Sequence, residues 1–146
     1  MQDTPFFWSH GRESAPLLLC MHGIGSCADA FLPQRALADD LGYRLVAWDA
    51  PGYRYSPDPA DDPGLDGWAD AASNLIRTLG YQTAAVLGVS WGGVTATRLA
   101  LRHPDLVSAL VLADSSVGSG TNPKQAEAMR GRAGKLTELG AAEFAR

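Results

Sequence analysis

A serine between two glycines is the residue of this chain whose setting best suits chemistry. Ser90 lies in the pentapeptide Gly88-Val89-Ser90-Trp91-Gly92, which follows an apolar run and opens a helical pattern. A strand that turns sharply into a helix holds its turn residue in a strained conformation with the side chain exposed, and small neighbours let other backbone approach. The sequence therefore predicts that Ser90 is an exposed nucleophile at the carboxyl end of a strand.

A serine nucleophile needs a base, and the three histidines of the chain are weak candidates for it. His22 directly follows an apolar strand pattern, His103 precedes the helix-stopping Pro104, and His10 lies near the amino terminus. We interpret none of them as the base. Their scattered positions also lack the spacing of metal ligands, so we expect neither a metal nor a cofactor.

Strand and helix patterns alternate along the chain, which is typical of a parallel sheet wrapped by helices. The predicted fold is α/β, with three α/β/α layers and a mostly parallel sheet. Strands are predicted at 5–10, 17–21, 44–49, 83–89 and 106–114, and helices at 28–41, 65–79, 91–103 and 124–146. Gly42 and Gly80 follow two of these helices and are expected to end them.

Four sequence features occur in one order, each at the predicted end of a strand. They are His22-Gly23-Ile24-Gly25, Asp49-Ala50-Pro51-Gly52-Tyr53, the Ser90 pentapeptide and Ala113-Asp114-Ser115. Together they resemble the amino-terminal half of an α/β-hydrolase, of the broad group that holds esterases, enol-lactonases, carbon–carbon bond hydrolases and haloalkane dehalogenases. One pentapeptide alone is a weak signal, whereas four features in order are a strong one for the fold.

The resemblance implies a role for several residues. Ser90 matches the nucleophile, and the backbone N–H groups of Trp91 and Ile24 match the donors of the oxyanion hole, with Gly25 as the alternative to Ile24. Asp114 matches the place at which some members, notably haloalkane dehalogenases, carry the acid of the catalytic triad. Alternatively, Asp114 is a polar residue that forms hydrogen bonds with the backbone near the turn of Ser90. His22 is structural in this family, packing under the loop.

Two aspects of the second feature bear on structure rather than chemistry. The sequence around Asp49 indicates a carboxylate that fixes the turn by accepting hydrogen bonds from nearby N–H groups. Relatives often continue Pro-Gly-Tyr with glycine, where this chain has Arg54. If that position needs a positive φ, arginine costs about 1 kcal/mol there. The alternative is that Arg54 changes the mouth of the site, and the sequence leaves both open.

The domain organisation follows from the same resemblance. Residues 1–117 are predicted to be a partial hydrolase core, and residues 118–146 the start of a helical lid or cap. We expect the chain to be truncated before the last strands of the fold and before its catalytic histidine. The strand at 109–113 would then be an unpaired apolar edge, through which the chain could associate with a second copy.

The predicted function is hydrolysis of small carboxylic esters or lactones through an acyl-enzyme on Ser90. Carbon–carbon bond hydrolysis is the alternative within enzymes. A non-catalytic ligand-binding or interaction module, or an inert remnant, is the alternative of another class. Haloalkane dehalogenation is disfavoured, because those enzymes carry aspartate where this chain has Ser90.

Composition argues against two classes of partner, nucleic acid and membrane, and the resemblance implies a small-molecule ester or lactone substrate. The net charge of −4 argues against a nucleic-acid partner, since phosphate binding needs a basic surface. No apolar stretch reaches the roughly 18 residues that a bilayer span needs, and the first residues do not resemble a signal peptide, so we expect no membrane association and a cytoplasmic location. In that compartment a disulfide between Cys20 and Cys27 is not expected.

Overall fold

The computed structural model describes residues 4–116 and 122–139. Contacts divide the chain into two compact units, Met1–Ser115 and Ser116–Arg146, and each is described by itself. The strands are β1 (Phe7–His10), β2 (Leu17–Met21), β3 (Arg44–Trp48), β4 (Ala84–Val89) and β5 (Val107–Ala113). The α-helices are α1 (Arg35–Leu41), α2 (Gly64–Thr78), α3 (Trp91–Arg102) and α4 (Pro123–Leu139), with 3-10 helices at Ala28–Gln34 and Pro104–Leu106.

The strands form one sheet in the order β1-β3-β2-β4-β5. β1 runs antiparallel to β3, whereas the other neighbours pair in parallel, which confirms the predicted mostly parallel sheet. The carboxyl ends of parallel strands meet at the same edge of a sheet. The residues that follow β2, β3, β4 and β5 are His22, Asp49, Ser90 and Asp114, so this edge collects all four sequence features.

Helices pack on both faces of the sheet, as the burial of β2 shows. Leu17, Leu19 and Met21 are buried in a cluster with apolar residues of α2 and α3. Cys20 is buried in a second cluster with residues of α1 and the 3-10 helix before it. Because successive side chains of a strand point to opposite faces, the two clusters lie on opposite sides of the sheet. The predicted three-layer arrangement is confirmed.

The prediction of one continuous helix over 28–41 was wrong in its first half. Residues Ala28–Gln34 form a 3-10 helix, and the α-helix begins only at Arg35. Pro33 lies inside the 3-10 segment, and proline has no N–H for an α-helical bond. Gly42 does end α1 as predicted, in the left-handed conformation with φ 71°.

The carboxyl-terminal predictions are covered only in part. The helix predicted over 124–146 is described as Pro123–Leu139, and its last seven residues lie outside the described part of the chain. Residues 117–121 also lie outside it, and with them the predicted boundary between 1–117 and 118–146. The assignment of 118–146 as a lid or cap stays a prediction.

β5 is the last strand of the described sheet, and its outer edge has no partner among residues 4–116 and 122–139. The strand contains no charged residue and no proline, the devices that usually protect an edge. Val111 and Leu112 are 54% and 48% exposed. β5 therefore presents apolar side chains at the edge of the described sheet, and association through this edge stays a prediction.

Candidate active site

Ser90 occupies a sharp turn between the end of β4 and the first residue of α3. Its backbone has φ 53° and ψ −118°, a conformation that is rare for any residue but glycine. Such strain costs about 1–3 kcal/mol and persists only where the surroundings enforce it. The residue is exposed. The structure therefore places Ser90 in the strained strand-to-helix turn that the sequence predicts.

The glycines around Ser90 are required by close backbone contacts. A Cβ on Gly92 would lie 2.1 Å from the carbonyl oxygen of Met21, and one on Gly88 would lie 2.5 Å from the Cα of Gly93. No real Cβ makes contacts this short. The start of α3 can therefore press against the end of β2 only because position 92 has no side chain.

The loop after β2 lies beside Ser90. A Cβ on Gly23 would be 3.3 Å from the Cβ of Ser90 and 3.9 Å from its Oγ. Ile24 follows directly, and its side chain is 62% exposed. Gly25 has φ 74°, and the N–H of Ser26 donates to the carbonyl oxygen of Gly23 at 3.2 Å, so the loop turns tightly around Ile24. This geometry puts the backbone that carries one predicted oxyanion donor against the serine.

The second predicted donor is the N–H of Trp91. As the first residue of α3, Trp91 has no carbonyl one turn earlier within the helix to accept its N–H. The positive end of the helix dipole lies at the same point and favours a developing negative charge. The two predicted donors thus belong to the two backbone segments that border Ser90.

His22 is a structural residue, as the sequence predicts. It is 1% exposed, and both ring nitrogens are used: Nδ1 donates to the carbonyl oxygen of Gly23 at 2.9 Å, and Nε2 accepts from the N–H of Ala50 at 3.1 Å. This pattern fixes a neutral imidazole. Burial lowers the pKa of His22 below its ordinary value, against a smaller opposing effect of its bond to Gly23 and of Asp49 nearby.

Replacing His22 with alanine is expected to lower the free energy of unfolding by about 2 kcal/mol or more, because the buried N–H of Ala50 loses its acceptor. The same residue gives the stability a pH dependence. Its folded pKa is depressed, so its contribution is complete above about pH 6.5 and is lost as the pH falls towards the folded pKa. Denaturant unfolding from pH 7.5 to pH 5 should show this slope, and His22→Ala should reduce it.

His10→Ala is the matched control for that experiment. His10 bonds the carboxylate of Asp39 at the surface, and such exposed pairs contribute less than about 1 kcal/mol. A loss as large as that of His22→Ala would mean that the effect reflects histidine removal in general and not the buried bond to Ala50.

The other histidines are also bound away from Ser90. His10 pairs with Asp39, and Nε2 of His103 bonds the carboxylate of Asp70 at 2.8 Å. His103 follows the last residue of α3, while Ser90 precedes the first, so the helix separates them by about 18 Å. All three histidines of the sequence are among the described residues, and none is placed to take a proton from Ser90.

Asp49 fixes the turn after β3, which confirms its predicted structural role. The carboxylate is fully buried and accepts from the N–H of Ala28 at 2.7 Å and from that of Tyr55 at 3.3 Å. The hydroxyl of Ser56 donates to the carbonyl oxygen of Asp49. The residue therefore joins the loop after β3 to the 3-10 helix that follows the loop of Ile24.

For Arg54 the structure confirms the first of the two interpretations, a left-handed conformation, whereas a changed mouth of the site stays a prediction. Its φ is 43°, so the position does require the left-handed conformation. Its Nη1 also bonds the carboxylate of Asp29 at 2.5 Å and lies 3.3 Å from Sγ of Cys27. The guanidinium thereby ties the loop after β3 to the segment that follows Gly25.

Asp114 is exposed and has φ 50°, a left-handed conformation that aspartate tolerates better than most residues. Since each histidine is engaged elsewhere, no described histidine bonds its carboxylate. Its part as the triad acid stays a prediction.

Three residues that sequence reasoning did not assign to the site support it. Trp91 packs edge-on against Trp68, with 4.5 Å between ring centroids, and stacks on Tyr53 at 5.8 Å. Tyr53 in turn contacts the ring of His22. The third, Ser115, contacts the turn itself. The sequence shows that Tyr53 and Trp68 are large and apolar enough to pack near the site. No local pattern indicates that Ser115 contacts Ser90.

Ser90 lines neither of two cavities of about 460 and 590 Å³. The smaller lies where α2 and α3 end, around His103 and Tyr81. The larger lies between α2 and the proline- and aspartate-rich loop at 57–63. Cys20 is buried, which raises the pKa of its thiol to about 12, so it is unsuited to nucleophilic chemistry.

Residues 4–116 and 122–139 also lack two other features. In this part of the chain no group of three histidine, cysteine, aspartate or glutamate residues is placed to hold a metal ion. Nor does it contain a helix both long enough and apolar enough to cross a bilayer.

A family profile described as the alpha/beta hydrolase fold matches residues 16–140, which include all four strand-end features. The chain belongs to the α/β-hydrolase family. It is similar to a pimeloyl-[acyl-carrier protein] methyl ester esterase of Shewanella woodyi, with 39% identity over 99 residues, covering 68% of this chain and 36% of that protein. A 2-hydroxymuconate semialdehyde hydrolase of Pseudomonas sp. is 36% identical over 102 residues, with the same coverage.

A solved structure of a hydrolase from Pseudomonas aeruginosa shares the hydrolase fold of this chain. It matches with a TM-score of 0.75 and 27% identity, over 86% of this chain and 47% of that one. The chain thus spans about a third of the length of the two curated relatives and about half of that structure.

Proposed function

We propose that the protein carrying this chain is a serine hydrolase of small carboxylic esters or lactones. The observation that carries the proposal is the exposed Ser90, held at φ 53° with the backbone of Gly23 against it. Similarity to a methyl ester esterase supports the ester specificity. The relatives also include an epoxide hydrolase, so their shared property is hydrolysis and the substrate class belongs to the proposal.

In the proposed reaction this chain supplies the nucleophile and the oxyanion donors. Oγ of Ser90 attacks the carbonyl carbon while a base takes its proton, and the resulting oxyanion accepts hydrogen bonds from the N–H groups of Ile24 and Trp91. The ester bond then breaks, the alcohol leaves with a proton, and the acyl group stays on Ser90. Water cleaves this acyl-enzyme and restores the hydroxyl. The chain's three histidines are engaged elsewhere, so the base is another group.

The test is performed on the polypeptide at its natural length. Wild type should hydrolyse p-nitrophenyl butyrate and react with a fluorophosphonate, while Ser90→Ala should lose the labelling and about a millionfold in kcat. Ser108→Ala is the matched control, since Ser108 is exposed on β5. Labelling that survives in Ser90→Ala would contradict the proposal.

Two other outcomes distinguish the alternatives. Cleavage of a carbon–carbon bond in a ketone substrate, with esters left intact, would favour the carbon–carbon bond hydrolases that the sequence also resembles. A folded protein that is neither labelled nor active would favour a ligand-binding module or an inert remnant.

A further inference from the structure

The backbone of Ser90 is held on both sides by the end of β5. Its N–H donates to the carbonyl oxygen of Ala113 at 2.9 Å. Its own carbonyl oxygen accepts from the hydroxyl of Ser115 at 3.1 Å, and the same hydroxyl lies 3.1 Å from the carbonyl oxygen of Ala113. One hydroxyl therefore bridges the turn of Ser90 and the last residue of β5.

The side chain of Ser115 fits a space that only a glycine leaves. A Cβ on Gly93 would lie 1.8 Å from Oγ of Ser115 and 2.6 Å from its Cβ. Gly93 lies within α3, where glycine costs about 1 kcal/mol relative to alanine, and its φ is not positive. The contact with Ser115, and not the backbone angle, accounts for glycine at this position.

The residue between Ala113 and Ser115 is itself in an unusual conformation. Asp114 has φ 50°, so the chain turns immediately after β5 and brings Ser115 into contact with the turn of Ser90. Ser90 and Asp114 are both non-glycine residues with positive φ, and two hydrogen bonds join Ser90 to the chain neighbours of Asp114, Ala113 and Ser115. Strained conformations persist when neighbouring structure over-determines them, and Ser115 supplies one of the constraints.

We infer that Ser115 is a positioning residue for Ser90. Its hydroxyl holds the carbonyl of Ser90 in place and thereby fixes the direction in which Oγ points. Without it, the turn keeps the bond from Ser90 N–H to Ala113 but loses the restraint on the carbonyl side. The catalytic consequence rests on the proposed function, whereas the effect on the turn does not.

The structural test measures the amide hydrogen-exchange rates of the Ser115→Ala variant of the full chain by NMR. The N–H of Ser90 should exchange about tenfold faster, because removal of one hydrogen bond makes local opening easier. Exchange in the interior of β2 and β4 should change far less. Ser108→Ala, a serine-to-alanine change at an exposed position of β5, should leave the exchange of the Ser90 N–H unaffected.

The catalytic readout is steady-state hydrolysis by the natural-length polypeptide, in which Ser115→Ala should lower kcat about tenfold with little change in KM. Unchanged exchange at Ser90, or an equal rise throughout the sheet, would overturn the inference. If Ser90→Ala retains full activity, the proposed function fails, and the exchange measurement still decides the role of Ser115.

Discussion

Gly92→Ala is expected to lower the free energy of unfolding by at least about 3 kcal/mol, the upper range for overpacking a core. The added Cβ would lie 2.1 Å from the carbonyl oxygen of Met21 and 2.5 Å from that of His22. Both atoms are backbone, so no side chain can rotate to relieve the contact. Either α3 moves away from β2 or the turn at Ser90 opens. Denaturant unfolding measures the loss.

Gly131→Ala is the control for this change. Gly131 lies inside α4, and a Cβ there would meet nothing within 4 Å. Alanine favours a helix interior, so the control should leave stability unchanged or raise it by up to about 1 kcal/mol. A similar small effect of Gly92→Ala would contradict the close approach of α3 and β2.

Ile24→Pro is expected to lower kcat by about 10²- to 10³-fold, the usual cost of losing one oxyanion donor. Proline has no N–H, and the change removes the donor that we propose on the loop after β2. The Ile24 side chain is 62% exposed, so its loss from the core is not the cause. Hydrolysis of p-nitrophenyl butyrate by the natural-length polypeptide provides the measurement.

Ile24→Ala separates the N–H from the side chain. It keeps the backbone donor and removes most of the exposed apolar surface, so kcat should stay close to that of the wild type. If Ile24→Ala loses as much as Ile24→Pro, the side chain is what matters. If neither loses activity, Gly25, the alternative donor, takes the place of Ile24.

The sequence predicts the strands and the helix ends well, because apolar runs and turn residues can be recognised within short segments. Alternating contacts of β2 with two apolar clusters follow from its uninterrupted apolar residues, and Gly42 ends α1 because only a left-handed residue fits there. The failure at 28–34 is local too. Pro33 was visible in the sequence, and its missing N–H explains the 3-10 helix.

The sequence predicts those parts of the candidate site that are formed by one short segment of the chain. The Ser90 turn is encoded by Gly88 and Gly92 within five residues, and the structure has it where the pattern places it. The bond from Ser115 to Ser90 joins residues 25 positions apart, as does the bond from Arg54 to Asp29. Such contacts depend on strand order and register, which local patterns do not specify.

The proposed roles of Ser90, Ile24 and Trp91 can be tested together by a crystal structure of the natural-length polypeptide after reaction with a fluorophosphonate. We expect phosphorus bonded to Oγ of Ser90, with one phosphonyl oxygen about 2.7–3.1 Å from the backbone nitrogens of Ile24 and Trp91. An adduct on another residue, or a phosphonyl oxygen that faces away from both N–H groups, would contradict these roles.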